Sequence, residues 1–250
     1  METGELVMLK TFHKGKLREF IVTVSDDELH TDFGKVDLSL LLKLDIGDHI
    51  SAHKGQEFVI QRPRMPDFFH HAKRTGAPMM PKDIGLIIAY TGLNKGDSVL
   101  DAGTGSGILA MYLGSIAKRV LSYEVRDNFA VVARKNVQNA GLDNVEVRFG
   151  NIVEEISSIG EKFDVVTLDT QDSNDVVPYV PAILNPGGFL VTYSPFFEQT
   201  KEIRDAIEAA NFYDVRTIEC SEREISFSER GTRPSTMRVG HTGFITIARA

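Results

Sequence analysis

The stretch that most constrains this chain is Ser98-Val99-Leu100-Asp101-Ala102-Gly103-Thr104-Gly105-Ser106-Gly107, followed by Ile108-Leu109-Ala110-Met111-Tyr112-Leu113. A short apolar run ends in an acid, glycines follow at alternating positions, and apolar residues then recur at helical spacing. The pattern predicts strand, tight turn and helix, the first βα unit of a doubly wound α/β domain. Glycine reaches backbone angles closed to other residues and lets a ligand approach the main chain. The following helix aims free N–H groups at whatever is bound. Packing a strand onto a helix would not by itself need glycines at this spacing. A dinucleotide fingerprint, G-x-G-x-x-G, needs its third glycine one residue later, and no G-x-x-x-x-G-K-[ST] is present to make a P-loop.

The alternation continues along the chain. Ile84, Ile87, Ile88 and Leu93 mark a helix face. Strands are predicted over 98–101, 119–124, 145–149, 163–168, 189–193, 213–218 and 243–248, and together they make a mostly parallel, seven-stranded, Rossmann-like sheet. Helices are predicted over 127–140, closed by Gly141, near 176–184, and over 200–210. Asn185-Pro186-Gly187-Gly188 reads as the turn into the fifth strand. Residues 1–70 look different. Short β-type runs are separated by Lys14-Gly15-Lys16 and Lys54-Gly55-Gln56, which suggests a small barrel-like β domain with its sheet closed on itself. Within it, 38–44 reads as a short helix or a buried strand. Residues 61–83 are rich in proline and basic side chains and are expected to connect the domains without regular structure. The second domain is expected to span 71–250.

With 250 residues and 42% hydrophobic content, the chain can bury a substantial core. No run approaches the ~20 apolar residues of a membrane helix. The acidic start Met1-Glu2-Thr3-Gly4-Glu5 lacks a signal-peptide core. The single cysteine, Cys220, excludes an internal disulfide, and no zinc-type Cys/His cluster occurs. A cytoplasmic protein is expected. A net charge of −7 argues against indiscriminate nucleic-acid coating, yet basic residues cluster locally: Lys10, His13, Lys14, Lys16 and Arg18; Arg62, Arg64, His70, His71, Lys73 and Arg74; Arg223, Arg230, Arg233 and Arg238. Each cluster is either a solvated face or an RNA contact.

Ligands of open α/β sheets sit at the carboxyl ends of the strands, so residues there are the candidate site. Glu124 ends the second strand about 20 residues beyond the turn, where doubly wound nucleotide folds place the acid that pairs with ribose hydroxyls. Gly150-Asn151-Ile152 follows the third. Asp169 ends the fourth, an otherwise apolar strand in which a carboxylate without a task would be costly. Tyr193 ends the fifth and could wall a base pocket or simply fill core.

The run from Asp101 through Gly103, Gly105 and Gly107 resembles motif I of the class I S-adenosylmethionine (SAM) methyltransferases. That resemblance implies SAM as cofactor, with Asp101, Gly103, Thr104, Gly105, Ser106 and Gly107 around its methionine part, Glu124 at the ribose, Asn151 and Ile152 at the adenine, and Asp169 facing its methyl group. Further segments resemble the tRNA (adenine-N1)-methyltransferases of the TrmI type: Arg74-Thr75-Gly76 through Met80-Pro81-Lys82-Asp83, Ser122-Tyr123-Glu124-Val125-Arg126, Leu168-Asp169, Arg233-Pro234, and Val239-Gly240-His241-Thr242-Gly243-Phe244. The likeness covers nearly the whole chain and implies methylation of N1 of adenosine in the T-loop of tRNA, at position 58 and in archaeal members also 57. It implies a homotetramer, Asp169 on the exocyclic amine of the base, and no covalent enzyme nucleophile. Two features depart from the pattern: Met80 replaces an aromatic residue, and Thr170-Gln171-Asp172 replaces an apolar residue and a proline. The competing expectations are a methyltransferase for another nucleic acid or a small molecule, and a non-catalytic tRNA-binding subunit.

Overall fold

A computed structural model describes residues 1–229, 231–236 and 240–250. Arg230 and Arg238 of the third basic cluster, and Val239 of the C-terminal segment, lie outside the described residues. The chain forms two compact units, Met1–His71 and Ala72–Ala250.

In the first unit, β1 (Leu6–His13) and β2 (Lys16–Thr23) form a hairpin whose register runs from Leu6 opposite Thr23 to His13 opposite Lys16. Its two-residue turn takes positive φ at both Lys14 (49°) and Gly15 (72°), the twist that suits such a hairpin. A second hairpin joins β3 (Glu28–Thr31) and β4 (Gly34–Asp37). β5 (His49–Ser51) pairs with β6 (Glu57–Gln61), giving a four-stranded sheet of order β2-β1-β6-β5. The expected closed sheet is therefore open. Its β3–β4 hairpin pairs within itself, and the β4 edge is taken not by a strand but by His53, whose backbone N–H donates to the Lys35 carbonyl (2.9 Å) and whose Nδ1 accepts from the Lys35 N–H (2.8 Å). Residues 38–43 form a 3₁₀ turn capped by Asp37. Val7, Leu9, Val36, Leu41, Phe58 and Ile60 make the buried core.

The proline-rich connection also departs from expectation, because 65–71 is a helix, α1 (Met65–His71). Pro66 stands in its first turn, where a missing N–H costs nothing, and Asp67 accepts from the Arg64 N–H at 2.7 Å.

The second unit begins with α2 (Pro81–Thr91), with proline at its start and Gly92 in the left-handed conformation at its end. Then come β7 (Ser98–Ala102), α3 (Ile108–Gly114), β8 (Arg119–Glu124), α4 (Asp127–Asn139), β9 (Val145–Phe149), α5 (Ile152–Glu155), β10 (Phe163–Leu168), α6 (Ser173–Val176), α7 (Val180–Ile183), β11 (Leu184–Ser194), α8 (Phe197–Ala209), β12 (Tyr213–Glu219), β13 (Ile225–Ser228), β14 (Gly231–Pro234) and β15 (Phe244–Arg249). Seven strands form one sheet of order β12-β15-β11-β10-β7-β8-β9. Only β15 runs against its neighbours. This is the mostly parallel α/β sheet expected. Leu100, Phe163, Val166, Leu190, Ile203 and Ile207 lie in the core beneath it.

Three local expectations are revised. The helix expected near 176–184 is broken into short pieces, since Pro178 and Pro181 each interrupt the hydrogen-bond ladder. Residues 185–188 lie within β11 as a bulge, where the pairing shifts between Phe163–Leu184 and Val165–Phe189. The β13–β14 hairpin had no sequence counterpart.

From β7 the chain lays β8 and β9 to one side, then returns to lay β10 and β11 on the other. The topological switch, where ligands of such sheets bind, therefore lies between β7 and β10, beyond Ala102 and Leu168.

Candidate active site

The glycine turn sits at this switch. Gly103, Gly105 and Gly107 have φ of 92°, 57° and 81°. A Cβ on Gly103 would fall on the Asp169 carbonyl, and one on Gly107 would press the α4 backbone at Ala133. Glycine is thus required by both conformation and close approach.

Asp101 does not face the crevice. It is 1% exposed, and its carboxylate accepts from Ser122 Oγ (2.5 Å) and Thr167 Oγ1 (2.6 Å). Ser122 in turn meets Thr104 Oγ1 at 2.5 Å. Burial pushes the Asp101 carboxyl up, against the pull of the two hydroxyls. The acid expected at a ligand instead ties β8 and β10 to β7, because Ser122 and Thr167 are its register partners on the two flanking strands. Glu124, 2% exposed, is also committed. It accepts from the Gly105 N–H (2.7 Å) and from Arg126 through both the backbone N–H and Nε (3.0 Å each). The Arg126 guanidinium lies 3.6 Å over the Phe129 ring.

Two cavities flank Gly103. One, of about 440 Å³, is lined by Tyr123, Arg126, Asn151, Ile152, Asp169 and the loop Thr170-Gln171-Asp172. The other, of about 290 Å³, is lined by Thr104, Gly105, Ser106, Phe129 and the segment 75–79. Asn151 caps α5, its side-chain oxygen accepting from the Val153 N–H at 3.1 Å, so the atom expected to read an adenine amine already carries one hydrogen bond. The segment 73–79 is a strap across the turn. The Thr75 N–H donates to Ser106 Oγ (2.9 Å), and Asn136 accepts from the Lys73 N–H (3.1 Å) while donating to the carbonyls of Lys73 and Ser106 (2.8 Å each). Sequence reasoning missed Thr75 and Asn136. A signal existed for the second: Asn136 is the polar member of the inward face Ala130, Ala133, Asn136, Val137 of α4.

Asp169 follows β10, its N–H donating to the Ala102 carbonyl at 2.8 Å. Asp169 is half-buried and lines both cavities. Among the described residues it accepts no hydrogen bond. Loss of water, with Asp101 and Glu124 nearby, pushes it up to about 7, Arg126 pulling the other way. The pairing of Leu168 with Thr192 brings Tyr193 alongside Asp169. Burial is the main force pushing the Tyr193 phenol up to about 12. Gly243 packs flat against its ring, where a Cβ would come within 2.5 Å of Cζ.

A cradle that only glycine can form, with two cavities opening from it and Asp169 lining both, suits an elongated ligand. Residues 70–231 match the model of the tRNA methyltransferase complex GCD14 subunit. The tRNA (adenine(57)-N(1)/adenine(58)-N(1))-methyltransferase TrmI of Methanocaldococcus jannaschii is 36% identical, over 93% of this chain and 91% of that protein. This chain belongs to the tRNA (adenine-N1)-methyltransferase family. The tRNA (adenine(58)-N(1))-methyltransferase TrmI of Thermus thermophilus is 32% identical over 88% of each chain. A SAM-dependent O-methyltransferase of Thermotoga maritima is 27% identical, with a TM-score of 0.78 over 100% of this chain and 94% of that one. Members of this class use SAM, and the cradle and paired cavities fit it.

Proposed function

We propose that the protein methylates N1 of adenosine in the T-loop of tRNA at position 58, with the experiment below deciding whether position 57 is also methylated. The observation that carries this reading is Asp169, an acid without a hydrogen-bond partner among the described residues, standing where the two cavities meet. In this reading the turn from Gly103 to Gly107 and the strap hold the methionine part of SAM, Glu124 serves the ribose hydroxyls, and Asn151 and Ile152 border the adenine. Asp101 acts from below by fixing the turn. Bound SAM supplies an electrophilic methyl group, which the N1 lone pair of adenine can take without a covalent enzyme intermediate. Asp169, ionised above pH 7, accepts a hydrogen bond from the exocyclic amine, orients the base and stabilises the positive charge that grows on the ring. Tyr193 walls the extruded base.

The substrate side of the crevice favours one competing reading. Thr170-Gln171-Asp172 lines the larger cavity and departs from the family pattern, and the Thermotoga relative is described as an O-methyltransferase. The deciding experiment is methyl transfer from labelled SAM to a tRNA transcript, followed by digestion and mass spectrometry. We expect 1-methyladenosine at 58, and none in a transcript with guanosine at both 57 and 58. A methylated ribose, or label only on small hydroxylated acceptors, would establish the competing reading.

The protein is further proposed to be cytoplasmic and a homotetramer. The exposed β13–β14 hairpin, carrying Ile225 and Phe227 (78% exposed), supports self-association, since isolated hairpins are marginal in water. Native mass spectrometry tests it.

A further inference from the structure

Two segments that carry the family resemblance, Pro81-Lys82-Asp83 and His241-Thr242-Gly243, contribute no residue to either cavity described above. The fold brings them together. Asp83, at 0% exposure, is a fully buried acid on α2. The Lys82 ammonium, its side chain 10% exposed, pairs with Asp83 Oδ1 at 2.7 Å and donates to the Cys220 carbonyl at 2.8 Å and to Thr242 Oγ1 at 2.7 Å. The Thr242 hydroxyl in turn donates a hydrogen bond to Asp83 Oδ2 at 2.9 Å. The Tyr193 hydroxyl reaches the same oxygen at 3.5 Å, and Gly243 supports the flat of its ring. One residue before Thr242, His241 joins Glu219 (2.7 Å) to the Pro195 carbonyl (2.8 Å), tying β12 to the end of β11.

Burying a lysine and an aspartate is costly unless every donor and acceptor is used, and such a pair adds little net stability over apolar packing. Here the Asp83 carboxylate, held by Lys82 and Thr242, is the group that the Tyr193 hydroxyl reaches beside Asp169. Resting on the proposed function, we propose that Lys82, Asp83 and Thr242 are positioning residues, a buried clamp that fixes the Tyr193 hydroxyl and so the ring against which the target adenine is held. The clamp aligns the acceptor and leaves cofactor binding alone, because its members lie on the Tyr193 side and none lines the cradle. It also explains why glycine stands at 243: any side chain would displace the ring.

Thr242→Val keeps shape and removes both hydrogen bonds, and Thr242→Ser restores them. We expect Thr242→Val to lower kcat about 10- to 100-fold, as loss of alignment does, with the affinity for S-adenosylhomocysteine and the KM for tRNA within twofold of wild type. Thr242→Ser should recover kcat. In a Tyr193→Ala background, Thr242→Val should cost nothing further, since the clamp would have nothing to hold. A crystal structure of Thr242→Val should show the Tyr193 ring displaced or in two positions, and that of Thr242→Ser a single one. An unchanged ring in Thr242→Val, or an equal loss of kcat with and without Tyr193, overturns the clamp. If the wild-type protein forms no 1-methyladenosine, the reading of its function fails, while the crystallographic comparison still decides the clamp.

Discussion

The two walls of the crevice follow opposite rules. On the β7–β8 wall the carboxylates are spent: Asp101 on Ser122 and Thr167, Glu124 on Gly105 and Arg126. On the β10–β11 wall, Asp169 has no hydrogen-bond partner among the described residues and is pushed up to about 7. The first wall is finished before any ligand arrives, which is what holding a common cofactor requires. The second keeps an acid desolvated and without a hydrogen-bond partner among the described residues, at a cost in stability, and the proposed function gives it the substrate base as partner. Rigidity and reactivity are divided between neighbouring strands of one sheet.

The contrast is broken most directly at Asp169. Asp169→Ala should lower turnover by ~10²–10³ while leaving cofactor affinity nearly intact; near-normal turnover would show that the second wall does no chemistry. Gly103→Ala should instead remove cofactor binding itself, and turnover with it. Forcing a Cβ onto the Asp169 carbonyl at φ 92° should cost on the order of 1–3 kcal/mol in denaturant unfolding and abolish stabilisation by S-adenosylhomocysteine.

Acidity sharpens the comparison. The folded-state value of Asp169 lies above its ordinary 3.8. The folded protein therefore takes up a proton more readily than the unfolded chain, and stability is lost as pH rises from about 4 through about 7. Asp169→Asn escapes this loss. Its Tm should exceed the wild type's above pH 7, and the gap should close towards pH 4. The acid limb of the kcat/KM profile, expected near pH 7 in the wild type, should vanish in the same variant.

The smallest effect is expected away from both walls. Reversing charge at Arg62 and Arg64, both exposed, should weaken tRNA binding and flatten its salt dependence by about two contacts, with SAM binding untouched. An unchanged salt slope would make that cluster ordinary surface. Lys10 of the neighbouring cluster is already engaged, 2.7 Å from Glu19.

The difference between the walls also marks how far the sequence could be read. The cofactor wall is built from short-range pattern: the Asp101–Gly107 turn, Glu124 at the end of its strand, and the strand periods themselves all emerge from spacing. The limits of β8, β9 and β10 follow directly from runs of apolar and β-branched residues. The acceptor wall is assembled from pieces more than a hundred residues apart, Asp83 with Tyr193 and Thr242, and no local pattern signals that they meet. The strand-end position of Asp101 is legible in the sequence, but the engagement of its carboxylate by Ser122 and Thr167 depends on the neighbouring strands.

The sequence by itself determined the strand–turn–helix unit, the order of the alternating elements, the family and the acids at the strand ends, because backbone sterics and hydrophobic period act over a few residues. Only the tertiary structure decided which acids are spent and which is left open, where the strap of 73–79 crosses the turn, and that the Lys82-Asp83 and Thr242-Gly243 pairs meet. Burial and hydrogen-bond partnership are properties of residues brought together by the sheet, and they come into being only when the sheet does.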